Sequence, residues 1–158
     1  MRSKQAPIRN IQPDPIHGSV MLTKLINRMM KDGKKEAARK QVYKALDIIK
    51  SKTGQEPLEF FNTSLENIKP QMEVRARRIG GAAYQVPVPV RGPRKDSLAI
   101  RWLIIASQAR PNSEFHSFAE KLAAELIDAS NNSGSAVKKK LDTHRMAEAN
   151  KAFAHFRW

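Results

Sequence analysis

The sequence contains no cysteine, which removes disulfides and thiolate metal sites from consideration and fits a reducing compartment. Its apolar runs are only a few residues long, far short of the ~20 that a bilayer-spanning helix needs. The opening stretch MRSKQAPIRNIQPDP has no apolar core of the signal-peptide kind. These absences point to a soluble, cytosolic chain with no membrane partner. Catalytic constellations are missing as well. His17, His116, His144 and His155 are scattered, with no HExxH pair and no metal-like cluster. Gly33-Lys34 is no phosphate loop, because the leading glycine would fall at residue 28, which is Arg28. Gly80-Gly81 sits between strand-like runs and not before a helix, so it is no dinucleotide fingerprint. No enzyme, cofactor, metal or small-molecule substrate is implied.

Acidic residues are also scarce, and that shortage is the first positive signal. Lys plus Arg number 29 against 15 Asp plus Glu, a formal charge of +14 with a sequence pI near 10.4. A field of that size favours a polyanion, nucleic acid above all, with an anionic membrane or an acidic protein as the other choices. At 158 residues the chain suits one domain with a helical core.

The pattern is mainly α. Residues 1–17 are basic, with Arg2, Lys4 and Arg9, and are broken by prolines; they read as an extended arm. Residues 18–158 read as a single helical domain. Ser19 caps a helix carrying Leu22, Leu25, Ile26, Met29 and Met30 at helical spacing, and the methionines read as core filler. After Asp32-Gly33, Lys34 and Lys35 open a second helix with Ala38, Val42, Ala45, Leu46 and Ile49 as its buried stripe. A third starts at Pro57, buries Leu58, Phe61, Leu65 and Ile68, and carries Glu56, Glu59 and Glu66 on a face unsuited to phosphate. A fourth, Leu98 to Ala109, capped by Asp96 or Ser97, is apolar nearly all round, with Trp102 inside, and reads as the central core helix. A fifth runs from about Glu114 to Ala129. A last surface helix fills 135–158, with Ser135 as its cap.

Between the third and fourth helices, EVRARRIGGAAYQVPVPV (73–90) is the one strong β signal, a two-stranded antiparallel hairpin about Gly80-Gly81. Val74, Ala76 and Arg78 share one face of the first strand, and Tyr84, Val86, Val88 and Val90 one face of the second. Placing both sets on one face predicts partners of equal parity, Ala76 with Tyr84, and a three- or five-residue turn. Pro87 and Pro89 close the outer edge to further strands. Six basic residues and no acidic one lie between Arg75 and Lys95. Arg75, Arg77 and Arg78 on the ribbon, Lys34 and Lys35 at a helix start, and Arg91, Arg94 and Lys95 at the ribbon's base describe a phosphate footprint, arginine's planar fork suiting phosphate bidentately. With few aromatics for base stacking, recognition should rest on backbone and shape, as for structured RNA. A DNA-binding regulator with a basic wing is the competing reading, although it would need a dimer to read paired half-sites.

Three long strings carry a resemblance: PDPIHGSVMLTKLINRMMKDGKKEAA, RRIGGAAYQVPVPV followed by a basic turn and SLAIRW, and AVKKKLDTHRMAEANKAFAHFRW. From Pro13 to Trp158 the chain resembles small-subunit ribosomal protein seven of the bacterial type. The resemblance implies a helical domain with a protruding hairpin, a non-enzymatic constituent of the small subunit. It further implies binding to the head (3′ major) domain of the small-subunit rRNA, nucleating head assembly, beside the exit-site tRNA and the mRNA path. The resemblance implies rRNA contact by the basic arm (Arg2, Lys4, Arg9), whose own sequence departs from the family pattern, and, on matched positions, by Lys34, Lys35, Arg75, Arg77, Arg78, Arg91, Arg94 and Lys95. The hairpin tip, Gly80, Gly81, Ala82 and Tyr84, and the last helix, with Lys138, Lys139, Lys140 and Arg145, would lie towards tRNA and mRNA. Neighbouring head and platform proteins are further implied partners. The host, and whether the ribosome is bacterial or organellar, stay open.

Overall fold

A computed structural model describes residues 9–157. Six α-helices, one two-stranded sheet and a terminal 3-10 helix follow in the order α1 (Val20–Met29), α2 (Lys35–Thr53), α3 (Pro57–Ile68), β1 (Met72–Ile79), β2 (Ala82–Pro89), α4 (Pro93–Ala109), α5 (Phe118–Ser130), α6 (Gly134–Ala149) and η1 (Lys151–Phe156). The mainly α class with a hairpin is as the sequence predicts.

Helix starts follow local chemistry. Ser19 accepts a hydrogen bond from the Leu22 amide at the head of α1, which supplies a partner to an otherwise orphaned donor. Pro57 occupies the first turn of α3, where the missing N–H costs nothing. The buried stripe of α2 is Ala38, Val42, Ala45, Leu46 and Ile49, as expected. In α3, Phe60 is buried beside Phe61, Leu65 and Ile68, whereas Leu58 is only half-buried. All six helices feed one apolar cluster, in which Phe61, Leu22, Leu25, Ile49, Ile68, Leu103, Leu122 and Leu126 are fully buried. Met21, Met29 and Met30 pack against that cluster as filler.

Three boundaries differ from expectation. Helix α4 begins at Pro93, not near Leu98, and Gly92 takes the N-cap position without a side-chain cap. Proline's fixed φ favours the first helical turn, so Arg94 and Lys95 lie on the helix and not in a turn. Helix α4 touches α1, α3, α5 and α6, yet it is not buried all round: Ile105 is 56% exposed and Trp102 half-buried at the rim of the core. Helix α5 begins at Phe118 and not at Glu114, because Ser117 accepts from the Glu120 amide while Glu120 accepts from the His116 amide. These reciprocal bonds, a variant of the capping box, fix the start and hold the Glu120 carboxyl below its usual range. Helix α6 starts one residue before Ser135, with Ser133 as N-cap, and ends at Ala149; η1 completes the segment. The remaining residue, Trp158, lies outside the described residues, as do Arg2 and Lys4.

The hairpin register also overturns the parity argument. Ile79 pairs with Ala82, Arg77 with Tyr84, Arg75 with Val86 and Glu73 with Val88, so the loop has two residues. Gly80 (φ 56°) and Gly81 (φ 93°) both adopt positive φ, the signature of a primed two-residue turn, whose twist matches that of the strands. A Cβ at either glycine would meet nothing within 4 Å, so backbone conformation and not space is what demands glycine. Turn chemistry therefore prevails over apolar matching. Arg75 and Arg77 face the same side as Tyr84 and Val86, while Val74, Ala76 and Arg78 face the other. The Val90 amide donates to the Gln71 carbonyl (2.9 Å), continuing the same register. By the alternation of an antiparallel ladder, the positions of Pro87 and Pro89 point outwards, closing that edge.

Candidate nucleic-acid interface

The hairpin stands on α6 and η1, and an ion pair from the head of α4 reaches its base. At its base Val86 and Val90 are buried. On the α6 side the Gln71 amide donates to His144 Nε2 at 3.0 Å. Burial first, and then the positive charge of Lys140, depress the His144 pKa, consistent with a neutral ring accepting that bond. Higher on β2, Tyr84 packs its ring on Phe153 (5.3 Å) and Phe156 (5.6 Å) of η1. The tip residues Gly80, Gly81, Ala82 and Ala83 are exposed. Terminal aromatics thus support β2 from outside the bundle, which a two-stranded ribbon requires in water.

The base carries the strongest electrostatic feature. Glu73, the second residue of β1, has a side chain only 8% exposed. Its Oε1 accepts from Arg75 Nε at 2.5 Å, and its two oxygens accept from Arg94 Nε at 2.8 and 2.7 Å. Arg94 Nη2 also stands 2.7 Å from Oε2. One carboxylate thereby ties the ribbon to the first turn of α4, and both arginines remain half exposed. Arg77 is half-buried on the same face, Arg78 is exposed on the other, Arg91 is exposed just before α4, and Lys95 is half-buried in its first turn.

Beneath this patch, Asp96 bridges Lys69 (3.0 Å) at the end of α3 and Lys24 (3.6 Å) on α1. Burial alone would lower the Lys69 pKa, but hydrogen bonds to Glu66 and Asp96 outweigh it and raise it. The bridge fixes α1 and α3 against the head of α4.

The other expected cations are placed differently. Lys34 is exposed at the N-cap of α2 and Lys35 begins that helix half-buried; α2 makes no contact with either strand among the described residues, so these lysines are not joined to the hairpin directly. Arg9 is exposed. The arm's end is not loose: the Asp14 carboxylate accepts from the Ile16 and His17 amides and from the Tyr43 hydroxyl at 2.9 Å. Burial, then the Asp14 bond, push the Tyr43 pKa up to about 12, so the phenol stays a donor and docks the arm on α2. On α6, Lys138, Lys139 and Arg145 are exposed, whereas Lys140 donates to the Asn67 carbonyl near the end of α3. The acidic face of α3 lines a cavity of about 550 Å³ with Glu56 and Glu59, a lining with no cation to attract phosphate.

Glu73, Asp14 and the pair Phe153 and Phe156 were assigned no part by sequence reasoning. Glu73 did leave a trace, as the single carboxylate between Asn67 and Lys95 in a strongly basic stretch.

No group of three or more histidine and carboxylate side chains suited to hold a metal occurs among the described residues, and no helix there is long and apolar enough to cross a membrane. Comparison with known proteins gives a consistent picture. A family model described as ribosomal protein S7p/S5e matches residues 1–151. Proteins named small ribosomal subunit protein uS7 are similar over full length. Those of Thermotoga petrophila and Sulfurimonas denitrificans are 56% and 57% identical over 158 residues, all of both chains. That of Desulforamulus reducens is 56% identical over 152 residues, 96% of each.

Proposed function

Because the chain belongs to the ribosomal protein S7p/S5e family, we propose that it is the primary binder of the head (3′ major) domain of the small-subunit rRNA and nucleates assembly of that domain. It is a structural, non-enzymatic constituent of the small ribosomal subunit and, like its bacterial relatives, belongs with that subunit in the cytoplasm. The observation that carries the rRNA assignment is the seam at the hairpin base. There Arg75 and Arg94 close on one buried carboxylate, Arg91 and Lys95 flank Arg94 in the chain, and no acid lies in sequence between Arg75 and Lys95 to oppose a phosphate. Arg77 and Arg78 extend the cationic surface up both faces of the ribbon. A phosphate-tracking surface whose aromatics, Tyr84, Phe153 and Phe156, pack on one another suits a folded RNA read by shape.

The uncharged tip, Gly80, Gly81 and Ala82, with Tyr84 behind it, reaches towards the exit-site tRNA and the mRNA path. Lys138, Lys139 and Arg145 on α6 line the same side, with Lys140 adding charge while its ammonium serves Asn67. The C-terminal segment and the bundle flanks meet neighbouring head and platform proteins. The basic arm, with Arg2, Lys4 and Arg9, and the pair Lys34 and Lys35 are further rRNA contacts.

Binding to a head-domain RNA fragment tests this reading. Log affinity should fall by roughly 0.7–0.9 per neutralised phosphate for each decade of salt. A flat salt dependence, or equal affinity for any duplex, would contradict it. Sedimentation with small subunits on a sucrose gradient separates it from a DNA-binding regulator, which would remain at the top.

A further inference from the structure

The geometry points to Glu73 as a positioning residue for RNA binding: its buried carboxylate holds the inner edges of Arg75 and Arg94, presetting their outer edges as a paired phosphate clamp. The inference rests on the RNA-binding reading above and deepens it. A guanidinium offers five N–H donors in a rigid plane. Glu73 takes the Nε hydrogen of Arg75, leaving both terminal nitrogens, and shares the Nε hydrogen of Arg94 between its two oxygens, with Nη2 of Arg94 in ion-pair reach at 2.7 Å and Nη1 left outward. The carboxylate itself is 8% exposed while the arginines are 50% and 51% exposed, so a phosphate reaches the forks without meeting the acid head-on. Arg75 belongs to β1 and Arg94 to the first turn of α4, so the clamp straddles two elements and its span is set before RNA arrives. Long cationic side chains lose much rotamer freedom when they bind; here much of that loss is taken in folding.

A purely electrostatic role, subtracting charge, gives the opposite sign from positioning, and a purely structural one, anchoring ribbon to helix, lowers affinity only together with the unfolding midpoint. Glu73→Gln removes one negative charge and raises the formal net charge from +14 to +15, so simple electrostatics calls for tighter RNA binding and a steeper salt dependence. Positioning calls for the reverse. A neutral amide offers weaker acceptors and lets the forks rotate.

The experiment measures affinity of the full chain for a head-domain RNA fragment and for an unrelated duplex across a salt series, with folding followed by thermal unfolding. Expected for E73Q is roughly tenfold weaker binding to the fragment and a salt slope shallower by about one. Arg94→Lys keeps the charge but not the fork and should weaken binding similarly; adding E73Q to an R75K/R94K background should cost nothing more. Folded E73Q that binds as tightly as the parent, or tighter, would overturn the inference. Should E73Q fail to fold, undiminished affinity of R94K would overturn it instead. Equal affinity of the parent for fragment and duplex would overturn the RNA reading itself, and this inference with it.

Discussion

The helical bundle and the hairpin arm are held together by opposite means. In the bundle, α2, α3, α4 and α5 bury a continuous apolar cluster, and charges stay at its edges in bridges such as Lys24 and Lys69 with Asp96. In the arm, apolar burial is confined to the base at Val86, Pro87 and Val90, and the ribbon is steadied by ions at Glu73 and by rings at Tyr84, Phe153 and Phe156. Stability should therefore reside in the bundle and RNA affinity in the arm, so that variants in one leave the other's property intact.

The largest stability effect belongs to the bundle. Phe61→Ala should cost about 3–5 kcal/mol of unfolding free energy, read by urea denaturation, while RNA affinity per folded molecule stays unchanged. A parallel loss of affinity would erase the division. Next is the arm's complement: replacing Arg75, Arg77 and Arg78 together by alanine should weaken binding to head-domain RNA by roughly one to two orders of magnitude near physiological salt. Arg75 is half exposed and Arg94 still pairs with Glu73 when Arg75 is lost, so the unfolding midpoint should move only slightly. Smaller still, Gly80→Ala places a Cβ on backbone at φ 56°, with a strain of about 1–2 kcal/mol. Faster amide exchange should appear at the tip, with the bundle's amides and the bulk of rRNA affinity preserved.

The mildest test is pH. His144 has its pKa lowered in the fold, by burial first and then by Lys140, from an ordinary value of 6.5. Below 6.5 the unfolded chain takes up the proton more readily than the native one, so this group's contribution to stability is present above that pH and declines as pH falls. His144→Gln should flatten that part of the stability profile. An unaltered profile would show that the junction between Gln71 and α6 does not titrate with the fold.

The same division explains what was legible in the sequence. Bundle helices are local patterns, and the stripe from Ala38 to Ile49 repeats at 3.6 residues whatever surrounds it and emerged at its expected place, while in α3 Phe60 takes the buried position expected of Leu58. Helix starts were legible where a side chain caps, as at Ser19. They were missed where backbone geometry decides, as at Gly92-Pro93, or where two plausible starts compete, as at Glu114 and Ser117. The hairpin's existence was plain from Gly80-Gly81. Its register was not, because matching apolar sets ignored that a β1 face bearing Arg75 and Arg77 can share a side with Tyr84 and Val86. At the interface the cations were visible in composition, but their organiser was hidden: Glu73 and Arg94 are 21 positions apart and meet only because the head of α4 returns to the hairpin base. Lys34 and Lys35 illustrate the converse, basic residues grouped with the ribbon by charge that the fold leaves on a helix with no contact to it.

The most direct measurement is the salt dependence of binding to a head-domain RNA fragment, compared between the parent chain and the Arg75, Arg77 and Arg78 alanine variant, with unfolding midpoints taken on the same samples. At roughly 0.7–0.9 per phosphate, the slope should shrink by about two to three in the variant while the midpoint stays nearly fixed. An unchanged slope, or affinity lost only in proportion to a fallen midpoint, would contradict the division between a stable bundle and an RNA-gripping arm.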